Sequence, residues 1–131
     1  MNKFCIMTMV AILMIASAVS VIAASGDVMI ANFLFLRMRC PAGGYTAEQR
    51  ADAIQTRANE LLTLDGLDLS TVTVSKVGKE AAIYAGGRLL VTVHECDARA
   101  NKTTPMKLAQ IWADRFREIY PSVVPIRPTE I

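Results

Sequence analysis

A single histidine, His94, and a single tryptophan, Trp112, stand among 131 residues, and only 6% of positions are aromatic. One histidine excludes a histidine-rich metal centre, because structural and catalytic metal sites draw three or four protein ligands. An excess of one charge is also missing. The 14 Lys and Arg against 12 Asp and Glu leave a net charge of +2, which gives no electrostatic footprint for nucleic acid or an anionic surface. The glycine pairs Gly43-Gly44 and Gly86-Gly87 do not match the spacing of a phosphate loop. Internal repeats and low-complexity segments are absent as well.

What the chain does have begins with one apolar run. Phe4–Ala24 contains no charged residue, Lys3 precedes it, and Ala23, Ala24, Ser25 and Gly26 supply small side chains after it. Residues 1–24 are therefore expected to be a signal peptide cleaved after Ala24 or Ser25, or else an uncleaved membrane anchor, since about 20 apolar residues can span a bilayer. Either outcome places the remainder in the periplasm or outside the cell. Membrane contact then comes only through the N-terminal segment, and nucleic acid is excluded by compartment too. Cys5 lies within this segment, which leaves Cys40 and Cys96 as a disulfide candidate in an oxidising compartment. Closing that loop is worth about 4 kcal/mol in the chain-entropy model. The pairing is conditional: the two cysteines meet if the first and last strands run parallel as neighbours, and lie at opposite ends if those strands are antiparallel. Cys96 is also out of phase with Leu89, Val91 and Val93.

Residues 27–40 alternate toward their end and are expected as one strand. Leu34, Leu36, Met38 and Cys40 share one face, while Phe35, Arg37 and Arg39 share the other. Pro41-Ala42-Gly43-Gly44 breaks it. Thr46 with Gln49 forms a capping box opening a helix that ends near Leu64. Its apolar face carries Ala47, Ala51, Ile54, Ala58, Leu61 and Leu62, with Glu48, Asp52, Gln55, Arg57 and Asn59 largely elsewhere. Three strands follow: Ser70–Val77, Glu80–Ala85 and Arg88–His94. Gly86-Gly87 makes the second connection a two-residue hairpin, with Ile83 opposite Leu90 and Tyr84 opposite Leu89. Residues 97–101 suit a helical turn capped by Asp97. Thr104 and Pro105 start the last helix, with Leu108, Ile111, Trp112, Phe116 and Ile119 on its buried face, and Pro121 ends it.

The order β-α-β-β-β-α predicts an α+β two-layer sandwich: a single domain over residues 27–121, then an extended tail over 122–131.

The runs GGYTAEQRA at Gly43–Ala51, GGRLLVTV at Gly86–Val93 and DARANKTTPMKLAQIWADRFR at Asp97–Arg117 resemble a small exported bacterial domain of unknown biochemistry. The same pattern is similar to the extracytoplasmic segment preceding the membrane part of some, largely cyanobacterial, small-conductance mechanosensitive channel proteins. The resemblance spans roughly Arg37 to Pro121 and implies a module that assembles with itself or with an envelope protein. It transfers no functional residue.

His94-Glu95-Cys96-Asp97 is the densest cluster of reactive side chains. His94, Cys96 and Asp97 are candidate metal ligands, with His94 and Cys96 on one face if the segment is a strand. They fall short of a full ligand set, so no metal or cofactor is expected. His94 and Cys96 are too close in sequence for a nucleophile–base triad, and no oxyanion-hole loop accompanies them. Arg37, Arg39 and Arg88 suit a solvated strand face. Asn101-Lys102-Thr103 is a glycosylation sequon that a bacterial protein leaves unmodified. The expectation is a non-enzymatic interaction module of the cell envelope, with a small-ligand or metal-binding sensor as the alternative.

Overall fold

The computed structural model describes residues 26–124, so the segment expected as signal or anchor at 1–24 and the tail beyond 124 lie outside the described residues. The stretch expected as one strand folds back on itself. Strands β1 (Asp27–Ile30) and β2 (Phe33–Arg37) form an antiparallel hairpin, with Ala31 turning at φ +52°. Ala31-Asn32 lacks the glycine that usually marks such a turn, which is why the apolar run reads as continuous. Beyond the strands, the Met38 N–H donates to the Gly26 carbonyl at 2.7 Å. Arg37 pairs with Asp27 across the hairpin, and the guanidinium holds that carboxyl below its ordinary range.

Helix α1 (Ala47–Thr63) starts at the expected capping box and buries Ala51, Ile54, Ala58 and Leu61. A short 3₁₀ turn over Leu69–Thr71 replaces the start of the next expected strand, because the Asp68 carboxylate accepts the Ser70 N–H and curls the chain. Strands β3 (Thr73–Val77), β4 (Glu80–Ala85) and β5 (Arg88–Val93) form a separate antiparallel sheet in the order β3-β4-β5. Tyr84 lies opposite Leu89 as expected, but Ile83 pairs with Val91 rather than Leu90. The irregularity between Ile83 and Tyr84 lets Leu90 and Val91, neighbours in sequence, both enter the core.

His94 is the N-cap of α2 (Glu95–Ala100), so Asp97 sits at the third helical position rather than at the cap. Helix α3 (Pro105–Val123) opens at Thr104 and runs through Pro121 instead of stopping there. A proline in the last turn removes one helical hydrogen bond near the surface, where the helix tolerates it.

The protein is an α+β fold with a divided sheet layer. Phe35, expected on the solvent face, is 1% exposed and packs on Phe116 of α3 with ring centroids 5.7 Å apart. Leu36 on the opposite face is buried too. The β1–β2 ribbon is thus covered on both faces, which alternation along one strand cannot show. Trp112, Phe116 and Ile119 belong to the core, whereas Ile111 is 56% exposed. Among the described residues, no helix is long and apolar enough to cross a membrane.

Two stability outcomes follow. Gly26 has φ +107°, and a Cβ there would collide with the Met38 carbonyl oxygen. Gly26→Ala is expected to lower the unfolding free energy by about 2 kcal/mol in urea titration. The Tyr120 hydroxyl is buried and has no hydrogen-bond partner among the described residues. Tyr120→Phe is expected to be as stable as the parent or up to about 1 kcal/mol more so in the same assay.

Candidate functional site

The capping box fixes the phase of α1. The Gln49 N–H donates to Thr46 Oγ1 at 3.1 Å, and the Thr46 N–H donates to Gln49 Oε1 at 3.0 Å. That phase turns Arg50 inward, where it is 8% exposed, toward Asp97, which is 2% exposed. The pair is bidentate: Nη1 donates to Oδ1 at 2.9 Å and Nη2 to Oδ2 at 2.6 Å. Arg50 Nη1 also donates to the Cys40 carbonyl at 2.7 Å, and Nη2 to the Thr92 carbonyl at 3.3 Å. Asp97 Oδ2 accepts the His94 N–H at 2.9 Å. One ion pair therefore joins α1, the segment after β2, the end of β5 and the start of α2.

Cys40 and Cys96 are joined by a disulfide beside this pair, with Cα atoms 6.1 Å apart. The strand geometry that made the pairing conditional does not arise. Cys40 lies beyond β2 and Cys96 in α2, so the turn into that helix, not strand register, brings the sulfurs together.

The candidate metal ligands have other partners. Cys96 is bonded to Cys40, Asp97 to Arg50, and His94 Nδ1 lies 2.7 Å from Glu80 Oε1. His94 and Cys96 do not share a strand face, because the chain is already entering α2 at His94. Among the described residues, no group of three His, Cys, Asp or Glu is placed to hold a metal ion.

Among the described residues, two sheets that do not join leave four outer strand edges, and side chains bond backbone groups on three of them. On β1, Gln55 of α1 accepts from the Met29 N–H at 2.8 Å and donates to the Met29 carbonyl at 2.6 Å, the pairing a neighbouring strand would supply. On β2, Arg115 of α3 donates to the Leu34 carbonyl at 2.8 Å. On β5, Arg57 donates to the Leu90 carbonyl at 3.5 Å and Arg50 to Thr92. Strand β3 is different. Arg117 reaches the Val72 carbonyl just before it, but among the described residues no side chain bonds the outer backbone of Thr73–Val77. Four of its five residues are exposed.

A trough of about 530 Å³ runs along the junction of α1 with β5, lined by Tyr45, Arg50, Ile54, Arg57, Thr92 and His94 among others. Arg50, Gln55 and Arg57 have structural roles that no sequence motif marks. Their signal was positional: Arg50 and Arg57 are seven apart, in phase with Ile54 and Leu61 on the apolar face.

Residues 27–120 match the model of a family described as Domain of unknown function (DUF8459). No curated protein and no solved structure matches the chain.

Removing Arg50 alone would strand a buried carboxylate. Arg50→Met is expected to cost about 3–5 kcal/mol in urea unfolding. The double variant with Asp97→Asn is expected to lose clearly less than the two single losses added together.

Proposed function

The chain belongs to the DUF8459 family, and from its geometry we propose a non-enzymatic, exported interaction module of the cell envelope that takes an extended protein segment along the outer edge of β3. The observation that carries this is the contrast between edges. Free N–H and C=O groups on a strand edge are a template for another strand. Among the described residues, side chains from α1 and α3 bond backbone groups on three edges, and none bonds the outer backbone of β3. Lys76 on β3 and Lys79 in the adjoining turn are both exposed, so the edge disfavours indiscriminate apolar strands and suits a segment carrying acidic residues.

Two other features agree with a periplasmic or secreted setting. The Cys40–Cys96 bond suits an oxidising compartment, and the apolar run Phe4–Ala24 suits export or tethering. The likeness to the extracytoplasmic segment of mechanosensitive channel proteins favours an envelope protein, or a second copy of this domain, as the partner.

The edge can be blocked without touching the core. Val77 and Glu80 flank the two-residue turn Gly78-Lys79 as partners, and Lys76 lies opposite Ala81 in the next, non-bonded pair. The Lys76 N–H therefore points outward. Lys76→Pro removes only that donor, and proline is tolerated on an edge strand. A photo-crosslinking residue at Val77, 50% exposed, is expected to give an adduct in the producing cell. One at the exposed Glu60 of α1 is expected to give none, and Lys76→Pro is expected to abolish the Val77 adduct while melting stays unchanged. Adducts that survive Lys76→Pro, or arise only from Glu60, would overturn the proposal.

A further inference from the structure

We infer that the trough between α1 and β5 is a binding site for a small carboxylate with an apolar body, separate from the β3 edge. The space suits such a ligand: about 530 Å³ falls within the roughly 300–1,000 Å³ of small-molecule sites. One wall is α1, and the other is the edge of β5 with the turn at Ala42–Tyr45.

The chemistry follows from the charges that line it. Arg50 is neutralised by Asp97. Arg57 is half-buried, has no carboxylate partner among the described residues, and donates only one long hydrogen bond, 3.5 Å, to the Leu90 carbonyl. A guanidinium removed partly from water retains most of its donors for an anion, and its planar fork matches a carboxylate. Asp52 also lines the trough. The Asp52 carboxylate opposes any anion there, so what favours a ligand acid is the directional fork of Arg57 and not a net positive charge. A phosphate dianion, with twice the charge, is disfavoured relative to a carboxylate. The rest of the lining sets the body of the ligand. The Tyr45 ring is 61% exposed at the mouth, and Ala53 and Ile54 add apolar wall along the helix. An exposed ring beside an unpaired arginine suits a flat apolar or aromatic group carrying the acid.

Arg50 of α1 holds the two walls in register, because its guanidinium is tied to the Cys40 carbonyl, the Thr92 carbonyl and Asp97. The disulfide fastens the segment after β2 to α2 on the far wall. The backbone of the two walls is thus tied together at the Arg50 end of the trough.

N-acetyl-phenylalanine is the probe, titrated into isotope-labelled full chain and followed by amide shifts. Saturable shifts are expected at Ala53, Ile54 and Thr92, not along Thr73–Val77. Arg57→Gln is expected to weaken binding about tenfold or more, as is replacing the acid by its primary amide. Tyr45→Ala, at an exposed position, is expected to weaken it by about threefold to tenfold with the fold intact. Inorganic phosphate is expected to bind at least about tenfold more weakly than the carboxylate. The inference falls if the probe leaves those three amides unmoved, if Arg57→Gln or the amide binds as the parent pair does, or if phosphate competes equally. None of these results bears on the β3 crosslink, so the two sites stand or fall separately.

Discussion

The Arg50–Asp97 pair is the interaction on which the rest of the structure depends. It is buried, bidentate and tied to the carbonyls of Cys40 and Thr92. Such a pair adds little net stability over a well-packed apolar pair, because both charges leave water. Its value lies in what it forbids. A packing that parts α1 from α2 leaves both charges buried and unmatched, and one that moves the segment after β2 or β5 takes a carbonyl acceptor away from the Arg50 guanidinium. The neighbouring disulfide joins two of those four segments covalently, so the covalent and electrostatic ties act on the same corner.

That corner explains how two sheets without a shared strand make one fold. Helix α1 occupies the place a joining strand would take. Gln55 faces the edge of β1, while Arg50 and Arg57 face the edge of β5. A helix cannot present a ladder of backbone groups, but long side chains can deliver donors and an acceptor at strand spacing. Edge closure by side chains has a second effect: it leaves polar and charged groups along the α1–β5 junction, which is why the trough there is lined by arginine and histidine rather than by apolar residues alone. The outer edge of β3, which no side chain among the described residues bonds, and the trough on β5 lie on opposite margins of a three-stranded sheet.

Much of the fold was legible in local sequence signals. The capping box at Thr46 and Gln49, the helical face Ala51–Leu61 and the Gly86-Gly87 turn report interactions within a few residues. The departures from local pattern have equally local causes. Ala31-Asn32 turns the chain without a glycine, the irregularity at Ile83 shifts the register of Leu90, and Pro121 sits late enough in α3 to be accommodated. Of the candidate site residues, His94, Cys96 and Asp97 do lie at one corner. Their partners, Glu80, Cys40 and Arg50, are 14, 56 and 47 residues away, and those long-range partners give them structural roles.

By itself the sequence determined the helices, most of the strands, the α+β class and the two cysteines able to bond, because propensity, capping and periodicity act over a few residues. Only the tertiary structure decided what the polar residues of α1 do. Gln55 and Arg57 read as ordinary helix-surface residues until strand edges lie beside them, and Arg50 carries no signal of its buried partner. Which strand edges the side chains of α1 reach, and that Arg57 faces a trough, depend on contacts between segments far apart in the chain, and no local pattern encodes those distances.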